Sequence, residues 1–414
     1  MRLISAGSEC VVVAALLLAA CGCGQQASEQ PAAAAGSTAG TADAAAVKPV
    51  ALRAADEPQS QQLAEQVRQA VAHLDAAALT KLASDEAFAD RVLRGTDVSG
   101  SERREAVEGL SGTLQEIFTG VVQGCTNGGS YSFVRLVPRG GEFRPLFRLC
   151  LPELSGINYH ELVVVQTADG AKIADVDVYL SGECVSESLR RLVLPALAAS
   201  NRGLKASLSA SEVQLLEFSD DVREIGNLQR SGQPKSALEL FRRLPTVVQE
   251  SEPLRRLKVR ICRNLGPDEL AEALQQLFQA TAAEPGAGFA EVERLELLGQ
   301  HAEVAAAVDR LREQTGDPYL GLLKIESLLK LDRGAEAAEA VAAAKAVSEG
   351  DADLALTDLR VRLHRRDFAG VAELLEGMQQ SPDGAAEIPE YQEFLRSEAG
   401  QAWLQRQKTQ SESP

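Results

Sequence analysis

Apolar positions in the second half of the chain recur every 33 or 34 residues. One column of apolar residues consists of Ala237, Ala271, Val304, Ala337 and Val371. Twelve positions before each member stands an aliphatic residue, in turn Ile225, Val259, Val292, Ile325 and Leu359. Seven positions after each stands Leu244, Phe278, Leu311, Ala344 or Met378. A period of this length predicts a stack of helix–turn–helix units, none of which buries its apolar face alone.

A turn position precedes the Ala237 column by five residues. It is occupied by Gly232, Gly266, Gly299, Asp332 and Arg366. With a small residue in the second helix and a glycine in the turn, the pattern resembles the tetratricopeptide repeat. The large aromatic residues of that family's first helix are missing, so another α-solenoid class of similar length stays open. The resemblance implies a concave surface, formed by the first helix of each repeat, that binds peptides or proteins.

Carried over to this chain, the concave surface implied by the resemblance is lined by charged residues. They are Arg256, Arg260, Arg263, Glu293, Glu296, Glu326, Lys330, Arg360 and His364. The three arginines from Arg256 to Arg263 share one helical face by their spacing. Guanidinium groups on one face could bind a carboxylate or phosphate. The alternative is a solvated basic face that nearby glutamates balance.

Residues 59–200 show a different pattern, which predicts a separate α+β domain. Leu63, Val67 and Val71 have helical spacing, and Asp75 and Ser84 are predicted helix starts. Four strands are then predicted at 131–137, 143–151, 158–166 and 172–180, with turn signals at 138–141 and 168–170. The predicted fold is therefore helices plus a four-stranded antiparallel sheet, followed by an all-α solenoid.

Polar residues on the last two predicted strands are the nearest approach to a site. Asp175, Asp177 and Tyr179 alternate, so they share one face of a strand, and His160 lies on the neighbouring strand with Glu161. Paired carboxylates could hold a cation or raise one pKa for acid–base work. The alternative is an amphipathic strand whose even-numbered residues, 174 to 180, face the core. A polar pocket beneath the sheet would favour a ligand site, and an apolar core there would oppose it.

The N-terminus has the pattern of an export signal. An apolar run over 11–20 is shorter than the roughly 20 residues of a membrane span. It ends in Leu18-Ala19-Ala20-Cys21, which resembles the lipobox of bacterial lipoproteins. The resemblance implies a signal peptide at 1–20 and a lipid on Cys21, with an ordinary secretory signal as the alternative. Gly22 by analogy implies an outer-membrane protein that faces the periplasm, or a cell-surface protein where only one membrane exists.

Composition narrows the classes of function. The net charge of −17 disfavours nucleic-acid binding. With 45% apolar but only 4% aromatic residues, close-packed helices are favoured. Zinc-ligand spacing, phosphate loops and nucleophile motifs are missing from the sequence, so we expect neither an enzyme nor a cofactor or metal. Export permits a disulfide, for which Cys125 and Cys150 are the candidate pair, with buried free thiols as the alternative.

The leading hypothesis is a membrane-anchored adaptor or scaffold of the cell envelope. A disordered linker at 21–58 follows the lipid, and a connector at 201–210 joins the α+β domain to repeats at 211–408, before a disordered tail at 409–414. The repeats would bind an envelope protein or peptide. The second hypothesis is a small-ligand-binding protein or enzyme centred on the α+β domain, with the repeats as a docking arm. Self-association through the repeats is a third.

Overall fold

The structure, a computed structural model, describes residues 53–96, 98, 100–151, 156–190, 213, 217–282, 284, 286–348 and 352–412. The predicted signal peptide, Cys21, most of the predicted linker and the connector at 201–210 lie outside the described residues. The described chain is mostly helical, with an antiparallel sheet in its N-terminal half that is followed by helices. It divides into two compact units, which meet in the sequence between Leu254 and Arg255.

The N-terminal unit contains a sheet and several helices. The helices of its first part are α1 (Glu57–Ala72), α2 (Ala76–Thr80), α3 (Asp85–Val92), α4 (Gly100–Leu110) and α5 (Thr113–Thr126). The strands are β1 (Arg53–Ala54), β2 (Ser130–Arg139), β3 (Glu142–Leu151), β4 (Gly156–Thr167), β5 (Gly170–Val178) and β6 (Glu183–Cys184). A helix over 185–190, α6, follows β6 directly.

Local side-chain hydrogen bonds explain where the first helices begin. At α1 the Asp56 side chain accepts from the Gln59 N–H and the Gln59 side chain accepts from the Asp56 N–H, which forms a capping box. Asp75 and Ser84, the predicted starts of α2 and α3, each accept a hydrogen bond from the N–H three residues later. These two predicted caps are confirmed, because short polar side chains satisfy N–H groups that the helix leaves without a partner.

The sheet is antiparallel and has the strand order β2-β3-β4-β5-β6, with β1 paired to β4. The four predicted strands correspond to β2 through β5. The prediction of a four-stranded sheet is wrong, since β1 and β6 make it six-stranded. Each added strand has two residues, too few for an alternating pattern to be visible in the sequence. Because β1 and the start of α1 lie within 53–58, order begins before the predicted end of the linker.

The core of this unit lies between the helices and one face of the sheet. Helices contribute Leu63, Phe88 and Phe118, and strands contribute Phe147 and Leu162, all fully buried. The side of the sheet under the helices is thus apolar, as expected for a structural core. In β5 the regular alternation of core-facing and outward-facing residues is interrupted.

A β-bulge in β5 explains the interruption. The pairing with β4 shifts between Val163 and Val164, so that Ile173 and Val176 both reach the core. The expectation that Ala174 shares the face of Val176 is therefore wrong. Ala174 packs instead with Ala87 and Val165 in a small cluster of its own.

Paired helices form the rest of the described chain. They are α7 (Ser219–Arg230), α8 (Pro234–Arg243), α9 (Thr246–Gln249), α10 (Glu252–Cys262), α11 (Pro267–Thr281), α12 (Ala287–Leu297), α13 (His301–Thr315), α14 (Ile325–Lys330), α15 (Gly334–Lys345), α16 (Ala352–His364), α17 (Phe368–Gly377), α18 (Pro382–Ala386), α19 (Gln392–Arg396) and α20 (Glu398–Glu412). Two 3₁₀-helices, Pro318–Lys324 and Pro389–Tyr391, precede α14 and α19. Because α20 runs to Glu412, residues 409–412 of the predicted disordered tail are helical.

The turns between paired helices recur in geometry. Positive φ angles occur at four of the five predicted turn positions, namely Gly232, Gly299, Asp332 and Arg366. In each of these turns the next N–H donates to the carbonyl five residues earlier, as from Gln300 to Leu295 at 3.0 Å. This is the Schellman geometry that ends a helix. Gly266 differs, because its φ of 170° is extended.

The two main apolar columns are buried. The first-helix column from Ile225 to Leu359 and the second-helix column from Ala237 to Val371 are each no more than 8% exposed. The last helices close over a cluster in which Trp403 and Phe394 are fully buried beside Val371. The apolar columns that recur in the sequence therefore belong to the core of the helical part.

Candidate functional site

The second face of the sheet, which points away from the apolar core, carries a charged cluster. Cross-strand pairing places Glu161 of β4 directly opposite Asp177 of β5. Arg139 of β2, Arg144 of β3 and Tyr179, just after β5, reach the same place. We call these five residues the sheet cluster.

Glu161 is the centre of the sheet cluster and is fully buried. Its carboxylate accepts two hydrogen bonds from the Arg139 guanidinium, both at 3.0 Å, and one from the Tyr179 hydroxyl at 2.8 Å. Arg144 lies 3.5 Å away. This bidentate pair, with its additional donors, supplies what a buried charge needs.

Asp177 faces Glu161 but has a different environment. The Asp177 carboxyl forms no hydrogen bond or ion pair with any described residue. Burial, and then the Glu161 charge, raise its pKa from 3.8 to about 6, and Arg144 and Arg139 oppose this shift. A carboxyl group of this kind can take up a proton near neutral pH or accept a cationic partner.

Asp175, which the sequence placed beside Asp177, has a structural environment of its own. Its buried carboxylate accepts from Arg91 Nε at 2.7 Å and from the Ser186 N–H at 3.1 Å. These bonds join α3, β5 and the start of α6. Asp175 and Asp177 therefore share a strand face but no partner.

His160 lies on the opposite face of the sheet from the sheet cluster. It pairs across the strands with Phe147 and Val178, and its Nδ1 is 3.3 Å from the Tyr131 hydroxyl. Burial lowers its pKa from 6.5 to about 4, so it is neutral at physiological pH. His160 is adjacent to Glu161 in β4, and adjacent residues of a strand face opposite ways. The predicted group is thus divided, because His160 lies on the other face from Asp175, Asp177 and Tyr179.

Sequence reasoning missed the two arginines of the sheet cluster. Arg139 stood in a predicted turn and Arg144 at the start of a predicted strand. Only the hairpin register, which pairs Arg139 with Glu142 and places Arg144 beside Val137, brings both towards Glu161. The sequence offered one signal, the presence of Glu161 next to His160 on the neighbouring strand.

The cysteines within the described residues form no disulfide; they are Cys125, Cys150, Cys184 and Cys262. The disulfide suggested for Cys125 and Cys150 is therefore not formed. Cys125 packs against the apolar core, whereas Cys150 lies between Leu149 and Leu151, which contact that core. Alternation along β3 consequently turns Cys150 to the other face. Burial raises the pKa of Cys125 to about 11, so its thiol is unreactive.

The predicted concave-surface residues form a strip across α10, α12, α14 and α16. We call it the charged strip, and its members are Arg260, Arg263, Glu293, Glu296, Glu326, Lys330 and Arg360. Most of these charges pair with each other. Arg263 donates to Glu293 at 2.7 Å and Arg360 lies 2.7 Å from Glu326. Arg256, beside the strip, pairs with Glu284 at 2.8 Å.

Two members of the charged strip are exceptions. Neither Arg260 nor Glu296 forms a hydrogen bond or ion pair with any described residue. Burial, and then the Glu293 charge, raise the pKa of Glu296 from 4.5 to about 7, while Lys330 opposes the shift. Two of the three arginines predicted to form a basic face are therefore paired with glutamates, as the alternative of a balanced, solvated face predicts, and only Arg260 is not.

No family model, curated protein or solved structure matches this chain. Within the described parts of the chain, acidic, histidine and cysteine side chains form no group suited to a metal ion. None of the described helices combines the length and apolar character needed to cross a bilayer.

Proposed function

We propose that this protein is an exported, lipid-anchored scaffold that binds another protein through its paired helices. The lipobox-like Leu18-Ala19-Ala20-Cys21 supports the anchor, and the polar segment after it supports a tether. The proposal places the protein in the cell envelope and gives it no catalytic role.

The proposed binding role rests on the charged strip. Ion pairs join Arg263, just after α10, to α12 and join α14 to α16. Glu296 of α12 interacts electrostatically with Lys330 of α14, so the strip runs across successive helices. Arg260 and Glu296 on this strip form no hydrogen bond or ion pair with any described residue. A protein partner that paired with both would relieve the cost of the partly buried Glu296 carboxylate. The regular turns and buried columns support the stacked helix pairs that such a surface needs.

A crosslinked pull-down from membranes tests this function. We expect full-length wild type to capture a distinct set of envelope proteins and Arg260→Glu to lose it. Arg243→Glu is the matched control, because Arg243 is an exposed arginine on α8, a helix that contributes no residue to the strip. Equal capture by all three proteins would remove the binding role. Cys21→Ser tests the anchor independently, since unchanged membrane association of that variant would contradict it.

A second candidate function, binding of a small cationic ligand, is favoured by one observation in the N-terminal unit. Asp177 is a partly buried carboxyl without a partner among the described residues, beside four polar side chains. Among the described residues, the side of the sheet beneath the helices is mainly apolar. If Asp177→Asn, with normal folding, leaves the cellular phenotype unchanged while Arg260→Glu abolishes it, the scaffold function is favoured.

A further inference from the structure

Neighbouring helices of the charged strip carry opposite charge. On α10 and just after it, Arg256, Arg260 and Arg263 share one face. On α12, Glu293 and Glu296 occupy the equivalent surface, and the Arg263–Glu293 ion pair shows that the two surfaces are adjacent. The strip therefore has a basic half and an acidic half side by side.

The internal ion pairs leave one charge of each sign unused. Arg256 is engaged by Glu284 and Arg263 by Glu293. Arg260 and Glu296 remain, one on each half, without a partner among the described residues. Such a surface can pair with a copy of itself, because a two-fold axis between α10 and α12 would bring Arg260 of one copy opposite Glu296 of the other, and the reverse.

The acidic half also has an apolar border. Leu297, which stands four residues after Glu293 and therefore on nearly the same side of α12, is 39% exposed. A large apolar side chain beside partly buried charges is typical of a surface that becomes covered, since burying it favours association.

We propose that the charged strip docks on a second copy of this chain, with Arg260 of each copy paired to Glu296 of the other. This inference rests on the proposed protein-binding function and names its partner. A two-fold arrangement forms two equivalent ion pairs at once and covers Leu297 of both copies. An unrelated partner would have to present an acid and a base at this spacing, whereas a second copy already does.

The test uses two full-length copies with different C-terminal tags, expressed together, extracted in detergent and co-precipitated. We expect wild-type copies to co-precipitate. Two copies of Arg260→Glu bring four carboxylates together, and two copies of Glu296→Arg bring four guanidiniums together, so each should lose roughly tenfold or more of the signal. A copy with Arg260→Glu paired with a copy carrying Glu296→Arg restores both attractions, and co-precipitation should return.

The mixed pair separates a lost contact from a lost fold, because misfolded variants would not recover by mixing. Arg243→Glu and Glu303→Arg, exposed charge reversals on α8 and α13, are the controls and should behave as wild type. Wild-type copies that fail to co-precipitate, or variants that are not rescued by mixing, would overturn the inference. If Arg260→Glu still loses capture of envelope proteins in that case, the proposed binding function stands and its partner is another protein. If capture is also unchanged, both proposals fail.

Discussion

Replacing Asp177 by asparagine should stabilise the N-terminal unit at neutral pH. In the folded state the Asp177 carboxyl is partly buried and faces Glu161 across two strands, so burial and repulsion raise its pKa from 3.8 to about 6. The folded protein therefore keeps a proton between these pH values that the unfolded chain has released. It follows that the Asp177 contribution lowers stability most above pH 6 and disappears as the pH falls towards 3.8.

The size of the effect follows from the two pKa values. Each tenfold change in a protonation equilibrium corresponds to about 1.4 kcal/mol, so full ionisation of Asp177 lowers the free energy of unfolding by about 3 kcal/mol. Asparagine has the same shape without the charge and removes this cost. At pH 7.5 the variant should open about 100-fold less often than wild type, and at pH 4 only a few-fold less often.

Thiol labelling of Cys184 measures this opening. Cys184 is buried and pairs directly with Asp177 in the sheet, so a reagent reaches it only when this part of the unit opens. An aromatic disulfide reagent remains reactive at acidic pH, and mass spectrometry identifies the labelled peptide. Comparing variant with wild type at one pH cancels the intrinsic reactivity of the thiol. Faster labelling of the variant at pH 7.5, or an equal ratio at both pH values, would refute the electrostatic explanation.

Three further predictions concern the same unit. Neutral His160, with its pKa lowered from 6.5 to about 4, should lower the free energy of unfolding by up to about 3 kcal/mol as the pH falls through that interval, and urea titrations of His160→Gln should lack this decrease. Arg139→Met should destabilise by about 3 kcal/mol, because Glu161 stays buried, and adding Glu161→Gln should recover part of that loss in the same titrations. Gly129→Ala should lower the thermal midpoint, since its Cβ would lie 2.6 Å from the Cys150 carbonyl oxygen, whereas Gly109→Ala meets nothing and should not.

Patterns that depend on one element were predictable from the sequence. The helix starts at Asp75 and Ser84 follow from hydrogen bonds that span three residues. The hairpin turn before β5 follows from Asp169-Gly170, and Gly170 has the positive φ that this dipeptide favours. Strands of two residues, such as β1 and β6, have no local pattern and were missed.

The candidate sites were less predictable, because they depend on register between elements. A bulge at Ala174 changes which residues of β5 reach the core. The residue types at that point do not indicate a bulge. The arginines predicted to form a basic face are mostly occupied by glutamates about 30 residues away in sequence, as Arg263 is by Glu293. Charge pairing at that distance cannot be read from spacing alone.

The sequence by itself determined that helices fill the second half of the chain, where apolar positions recur every 33 or 34 residues, and that a set of antiparallel strands precedes them. These features arise from periodic burial, which every helix or strand carries in its own residues. Only the tertiary structure decided which charges meet. Glu161 contacts two arginines, Asp177 faces a like charge, and Arg260 and Glu296 have no ion-pair partner among the described residues. These contacts depend on how separate strands and helices align.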